Sequence, residues 1–113
     1  RQAFGTLNDP LFIEPHQAMA RRLLAAKSGS DAERLHLLYK LTLCRKPEAK
    51  EQQALLAALE KARGHFGGDQ AAAIAMASDP LGPLPYGVNA AEAAAWTTVA
   101  NIVMILDESL MRR

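Results

Sequence analysis

Apolar residues recur along the chain at the spacing of α-helices, and helix-start and helix-stop residues divide the pattern into four or five segments. Asn8-Asp9-Pro10 is a helix-start signal, because a capping carboxylate precedes a proline at the first helical position. It predicts a first helix that runs to about Ala26. Pro15 lies inside this helix and is expected to kink it or to split off a short opening turn.

The pattern from Ser30 to Glu33 is a capping box and predicts a second helix that ends near Cys44. This helix carries apolar residues over a wide surface, which indicates a central helix touched by several others. Pro47 stops it, and a third helix is predicted from about Glu48 to Arg63. The glycines at 64, 67 and 68 are expected to end the third helix.

Two further helices follow. The Ala-rich stretch from Asp69 to Ser78 predicts a short helix, and three prolines between positions 80 and 85 predict a surface loop. Asn89 and Glu92 resemble a second capping box, from which a last helix is expected to run to about Met111. At a rise of 1.5 Å per residue this helix is roughly 33 Å long, enough to cross a small domain.

The apolar composition of the chain favours helices over strands. Of the apolar residues, 22 are Ala and 16 are Leu, against 7 Val plus Ile. Ala and Leu favour helices, whereas β-branched residues favour strands. We therefore predict an all-α fold, a compact array of four to five helices with the long C-terminal helix at its core, and one domain over residues 1–113. Because the chain begins with Arg1 and not with Met, we expect it to be a piece of a longer protein.

Charge and hydropathy exclude two classes of partner. Lys and Arg number 13 and Asp and Glu number 12, and the basic clusters are only pairs, at Arg21-Arg22, Arg45-Lys46 and Arg112-Arg113. A nucleic-acid-binding face carries a clear basic excess, so no nucleic-acid binding is predicted. The uncharged stretch over residues 93–106 falls short of the roughly 20 residues that a spanning helix needs, so no membrane span is predicted, and no signal peptide is visible.

Few side chains are candidates for catalysis, metal binding or ligand binding. Cys44 is the one cysteine, which excludes an internal disulfide, and its place after apolar residues predicts a small buried side chain. His16, His36 and His65 have no helical metal-clip spacing, although the first two could face each other. Trp96 is interpreted as a core anchor whose ring nitrogen meets a carbonyl.

The acidic pair Asp107-Glu108 is not a general acid/base pair, because adjacent helical residues point about 100° apart. One of them is expected to form a structural ion pair with Arg45 or Arg22. Arg45 is further expected to join the last carbonyls of the second helix to a carboxylate on the final helix. We accordingly predict no catalytic, cofactor-binding or metal-ligating residues and no cofactor.

Three stretches together resemble a known family. They are Asn8-Asp9-Pro10-Leu11-Phe12 with the following Ala20 to Leu24, the turn Leu43-Cys44-Arg45-Lys46-Pro47 with the following Glu51, and the last helix from Trp96 to Leu110. The pattern resembles the C-terminal part of a domain of unknown function in planctomycete and verrucomicrobial surface proteins. Cys44 stands where that family usually has Gly, Glu48 where it commonly has Thr, and Ser109-Leu110 where it closes on Phe.

The resemblance implies a context and no catalytic residues. It implies that the chain is the C-terminal portion of an exported, multidomain bacterial protein, periplasmic or at the cell surface. Such parents often carry a planctomycete-type cytochrome c domain, so upstream domains, one of them haem-carrying, are the implied partners. The chain itself has no CxxCH motif and is expected to bind no covalent haem.

Three function classes follow. The first is a non-catalytic helical module for scaffolding or protein–protein contact. The alternatives are an accessory part of a carbohydrate-active or other hydrolytic enzyme, and a helical domain that binds a small ligand. A buried Trp96 without a convergent polar pocket favours the first, and an exposed Trp96 in a cleft favours the ligand-binding domain. A cluster of Asp107, Glu108 and a histidine around one pocket favours the part of a hydrolytic enzyme. Phe4, Leu7 and Phe12 are expected to form an apolar docking patch for an upstream domain or a second copy.

Overall fold

A computed structural model describes the backbone of residues 10–26, 30–79 and 81–111, and side chains from residue 13 to residue 105 of these ranges. Within them the chain forms helices and no strand, which confirms the predicted all-α fold. The elements are α1 (Pro10–Ala25), α2 (Asp31–Thr42), α3 (Ala49–Gly67), α4 (Gln70–Ser78) and α5 (Ala90–Met111). None of these described helices combines the length and the hydropathy needed to cross a lipid bilayer.

Side-chain caps fix the start of three helices, and the sequence predicts two of these caps, at Ser30 and Asn89. The Ser30 hydroxyl accepts from the Glu33 N–H at 3.2 Å. An oxygen of Asp69 accepts from the Ala72 N–H at 3.1 Å, and Asn89 Oδ1 accepts from the Glu92 N–H at 3.0 Å. Each bond satisfies one of the amides that the first turn leaves without a helical partner.

The helix α5 lies at the centre of the fold, as predicted. It packs mainly against α1, α3 and α4, and less extensively against α2. Its buried side chains are mostly small, which lets the neighbouring helices approach closely around the one large ring of Trp96. They are Ala93, Ala94, Ala95, Trp96, Thr97, Val99, Ala100 and Val103.

The second helix contacts several others, as predicted, but it is not central. It touches α1, α3 and α5, each over a small area, whereas α5 makes the large contacts. The helix α2 buries Leu35, Leu38 and Tyr39. Its other large apolar residues, Leu37 and Leu41, pack against the core but remain partly exposed.

Three predicted features of the helices differ in the structure. The helix α1 continues through Pro15, so the alternative of a split-off opening turn is wrong and the kink stays a prediction. The helix α2 ends at Thr42, two residues before the predicted end. The helix α3 passes the predicted stop at Gly64 and continues to Gly67. Phe66 is buried in its last turn, so tertiary packing stabilises a turn that the glycines alone would destabilise.

Candidate functional site

Arg63 of α3 binds carboxylates from three helices. Its Nη1 donates to Asp31 at 2.7 Å and to Glu60 at 2.6 Å, and its Nη2 donates to Asp31 at 2.8 Å. Glu92 receives the remaining two bonds, from Nη2 at 2.9 Å and from Nε at 2.7 Å. A guanidinium has five N–H donors, so Arg63 is saturated by these bonds.

Charge pairing keeps this cluster ionised. The hydrogen bonds that Arg63 donates to Asp31 and Glu92 raise the pKa of Arg63 above its ordinary value. The hydrogen bond from Arg63 in turn lowers the pKa of Asp31. A carboxylate with a lowered pKa is a poor proton donor near neutral pH, so Asp31 is suited to an ion pair between helices and not to general acid catalysis.

Arg45 pairs with Glu51 on α3, a partner that we did not predict from the sequence. Its two terminal nitrogens donate to the two Glu51 oxygens at 2.9 and 3.0 Å, and Nη1 also donates to the Lys46 carbonyl at 3.0 Å. The guanidinium carbon lies 5.3 Å from the centre of the Tyr39 ring. Glu51 is within reach of Arg45 because it lies in the first turn of α3, six residues further along the chain. Its carboxylate also accepts from the Glu48 N–H at 2.8 Å.

Cys44 is exposed, so the prediction that it is buried is wrong. It follows the last turn of α2 with a φ of 58°, in the left-handed region, and its N–H donates to the Tyr39 carbonyl at 3.0 Å. A residue in this conformation ends a helix and turns away from its apolar face. The apolar pattern of the helix therefore stops before Cys44.

The histidines are separated in the structure. His16 is buried in α1, and burial lowers its pKa. His36 lies on the exposed side of α2, where its Nε2 is 2.8 Å from Gln52 Oε1, so it does not face His16. His65 packs edge-on against Phe66, with ring centres 4.8 Å apart. Among the described residues no three His, Cys, Asp or Glu side chains converge on a metal site.

Trp96 is fully buried, as predicted, but its ring nitrogen does not find the expected carbonyl. Within the described part of the chain, Nε1 has no hydrogen-bond partner. The surrounding helices use their carbonyls for their own backbone bonds, so few acceptors remain beside the ring. The guanidinium of Arg34 lies 5.9 Å from the ring centre, and its Nε donates to the Leu23 carbonyl at 3.2 Å.

Two polar side chains of α1 hold the proline-containing loop. Gln17 is buried, donates to the Met76 and Asp79 carbonyls at 2.8 and 2.5 Å, and accepts from the Leu81 N–H at 3.2 Å. Arg21 donates to the Ala77 carbonyl at 3.1 Å and also to the Gly82 carbonyl. These bonds satisfy the last carbonyls of α4 and fix the start of the loop. The fully exposed Tyr86 lies further along the same loop.

Sequence reasoning missed both the Arg63 cluster and the Gln17 bonds. Arg63 is 32 residues from Asp31, and Gln17 is 64 residues from Leu81. Only the Glu60–Arg63 pair, at the helical spacing of three residues, is visible in the sequence.

Several predicted residues lie outside the part that the structure describes. They are Phe4 and Leu7, the side chain of Phe12, and the side chains of Asp107 and Glu108. The apolar docking patch and the pairing of the acidic residues with Arg22 or Arg45 therefore stay predictions.

An open cavity of about 390 Å³ lies beside the last turns of α2 and the turn that follows. Its lining is formed by one histidine, one leucine, one thiol and three cationic side chains, namely His36, Leu37, Lys40, Cys44, Arg45 and Lys46.

Comparison of the chain with protein-family models, with curated proteins and with solved structures finds no match.

Proposed function

We propose that the chain is a non-catalytic helical module of an exported, multidomain bacterial protein, and that it serves protein–protein contact. The observation that carries this proposal is the saturation of Arg63 by Asp31, Glu60 and Glu92. The most polar cluster that the structure describes is used up in joining α2, α3 and α5. Catalytic groups, by contrast, need donors or acceptors left over for a substrate.

The other fixed polar side chains act in the same way. Arg45 joins the end of α2 to the start of α3, and Gln17 and Arg21 join α1 to the loop after α4. These contacts make a rigid body, and a rigid body that presents a fixed surface loses little conformational freedom when it binds a partner. That property suits a scaffold or docking module.

The burial of Trp96 favours this module over a ligand-binding or carbohydrate-binding domain. A sugar-stacking tryptophan must present its ring to solvent, whereas this ring is enclosed by the core. The hydrolytic alternative depended on a cluster of Asp107, Glu108 and a histidine, and no observation on the described residues favours it.

The resemblance supplies the proposed context. The Arg45–Glu51 pair and the left-handed Cys44 give a physical reason for an Arg and a following Glu around a turn where Gly is common. We therefore propose that the module is exported with its parent, in the periplasm or at the cell surface. Its partners would be upstream domains, among them a cytochrome c domain.

Site-specific cross-linking in the full-length parent protein tests the proposed contact function. A photoreactive amino acid would replace Tyr86, Ile74 or Lys46, one at a time, since all three are exposed on different elements. We expect at least one position to cross-link to another domain of the parent or to a second exported protein. A replacement of the buried Val103 controls for cross-links that arise only from unfolded protein. Failure of every exposed position to form such a link would contradict the proposal.

Cell fractionation tests the context separately. We expect the parent protein in the periplasmic or surface fraction, together with any haem-carrying partner. Recovery of the parent in the cytoplasmic fraction alone would contradict the exported part of the proposal and leave the contact function to the cross-linking result.

A further inference from the structure

The cavity beside the end of α2 combines unpaired positive charge with apolar surface. Lys40 and Lys46 line it and are exposed, and neither has a carboxylate partner among the residues that the structure describes. Arg45 also lines it, but Glu51 neutralises that guanidinium. The cavity therefore presents two free ammonium groups.

Apart from His36, the rest of the lining is apolar. Leu37 packs against the core with one part of its side chain and leaves the other part exposed, and the thiol of Cys44 is a small soft group. The methylene stems of Lys40 and Lys46 extend this surface, because long cationic side chains lay their stems on apolar groups while the charge stays in water. A matching ligand carries negative charges around an apolar group.

We propose that this cavity binds an acidic peptide segment of a partner protein. Carboxylates of the segment pair with Lys40 and Lys46, and an apolar side chain between them contacts Leu37 and Cys44. The inference rests on the proposed contact function and names the chemistry of the partner. A peptide fits better than a nucleic acid, since phosphate-backbone binding draws on many cations and only two are free in this cavity.

Cys44 provides a built-in reporter, since it is the one cysteine of the chain, is exposed and lines the cavity. A bound peptide shields the thiol from iodoacetamide, an uncharged reagent whose approach does not depend on the lysines. Exposed ion pairs are individually weak, so we expect a dissociation constant on the order of 1 mM. At about 5 mM peptide the alkylation of Cys44 then slows roughly sixfold, following the factor 1 + [L]/Kd.

The probe is the blocked peptide Glu-Glu-Leu-Glu-Glu, used with the full chain. Its matched controls are Gln-Gln-Leu-Gln-Gln, which keeps shape without charge, and a thymidine oligonucleotide with four phosphates. We expect the acidic peptide alone to slow alkylation, and 0.5 M NaCl to remove the effect, because the Debye length is then only about 4 Å. Equal protection by the neutral peptide or by the oligonucleotide would overturn the proposal.

Variants localise the effect. Lys40→Met together with Lys46→Met keeps the stems and removes the charges, and we expect it to abolish the slowing by the peptide. Lys61→Met, an exposed lysine on α3 outside this cavity, should leave the slowing unchanged. Rates with and without peptide are compared within each variant, so a change in intrinsic thiol reactivity cancels, and circular dichroism verifies the fold. Full slowing in the double variant would overturn the proposal.

The two proposals fail in different ways. If alkylation is insensitive to the acidic peptide while Tyr86 or Ile74 still cross-links within the parent, the cavity proposal is wrong and the contact function stands. If no surface position cross-links, the contact function is wrong, and any peptide protection of Cys44 marks a binding cavity with another role.

Discussion

Arg63 and Glu92 are joined by two hydrogen bonds across the contact between α3 and α5, from Nε to Oε2 at 2.7 Å and from Nη2 to Oε1 at 2.9 Å. Glu92 lies in the first turn of the central helix, where a carboxylate also favours the positive end of the helix dipole. The pair therefore fixes the beginning of α5 relative to the end of α3.

Arg63→Met should destabilise the fold substantially. The substitution leaves the carboxylates of Asp31, Glu60 and Glu92 close together without a counter-charge, and partly buried charges that lose their partner are costly. We expect the free energy of unfolding in urea to fall by about 2–3 kcal/mol. Lys61→Met, two residues earlier on the same helix and exposed, should change it by less than about 0.5 kcal/mol. Equal stability of the two variants would refute the role of Arg63.

Gln17→Met should loosen the loop after α4. Methionine has a similar length but cannot bond to the carbonyls of Met76 and Asp79 or to the N–H of Leu81. We expect a loss of about 1–3 kcal/mol in stability, and faster hydrogen exchange at the Leu81 amide. The same change at the exposed Gln53 serves as the control. An unchanged exchange rate at Leu81 would show that Gln17 does not hold the loop.

Cys44→Gly should stabilise the chain. The φ of 58° at Cys44 is unfavourable for a residue with a Cβ and costs nothing sterically for glycine. We expect a net gain of about 0.5–1 kcal/mol in the free energy of unfolding. The relief of the left-handed strain is larger than this, but glycine offsets part of it by losing more backbone entropy on folding. Cys44→Ala keeps the Cβ, so its free energy of unfolding should stay close to that of the unsubstituted chain. A glycine variant less stable than the alanine variant would argue against the left-handed conformation.

Features set by neighbouring residues could be predicted from the sequence, whereas features set by the packing of distant helices could not. Caps such as Ser30 and Asn89 act over three residues, so they could be predicted. The extension of α3 to Gly67 could not, because the burial of Phe66 depends on the packing of the whole fold. The partners of the candidate site follow the same division: Glu60 is visible beside Arg63, whereas Asp31 and Glu92 meet it only after the helices pack.

Acidification should destabilise the fold in a range that His16 sets. Burial lowers the pKa of His16, so the folded protein holds the neutral ring. As the pH falls below about 6.5, the ordinary value for histidine, the unfolded chain takes up the proton first. The free energy of unfolding therefore declines from about pH 6.5 downward until the pH passes the lowered pKa of the folded state.

Urea unfolding between pH 7 and 5 measures this effect, and the variant His16→Gln, which cannot titrate there, should lack the decline. Asp31 and Glu51, whose pKa values are lowered by Arg63 and Arg45, act in a separate window. Their stabilisation is present above their ordinary range near pH 4 and is lost below it. A parallel decline in the His16→Gln variant between pH 7 and 5 would assign the effect to another group.

Acrylamide quenching of tryptophan fluorescence tests the central claim most directly, namely that α5 is the buried core of the fold and not the wall of a binding cleft. Trp96 is the one tryptophan of the chain, so its emission alone is observed. Because the ring is fully enclosed, we predict a blue-shifted emission and quenching several-fold weaker than in urea-unfolded protein. Emission and quenching in the native state that match the unfolded chain would place the ring in solvent and contradict the account.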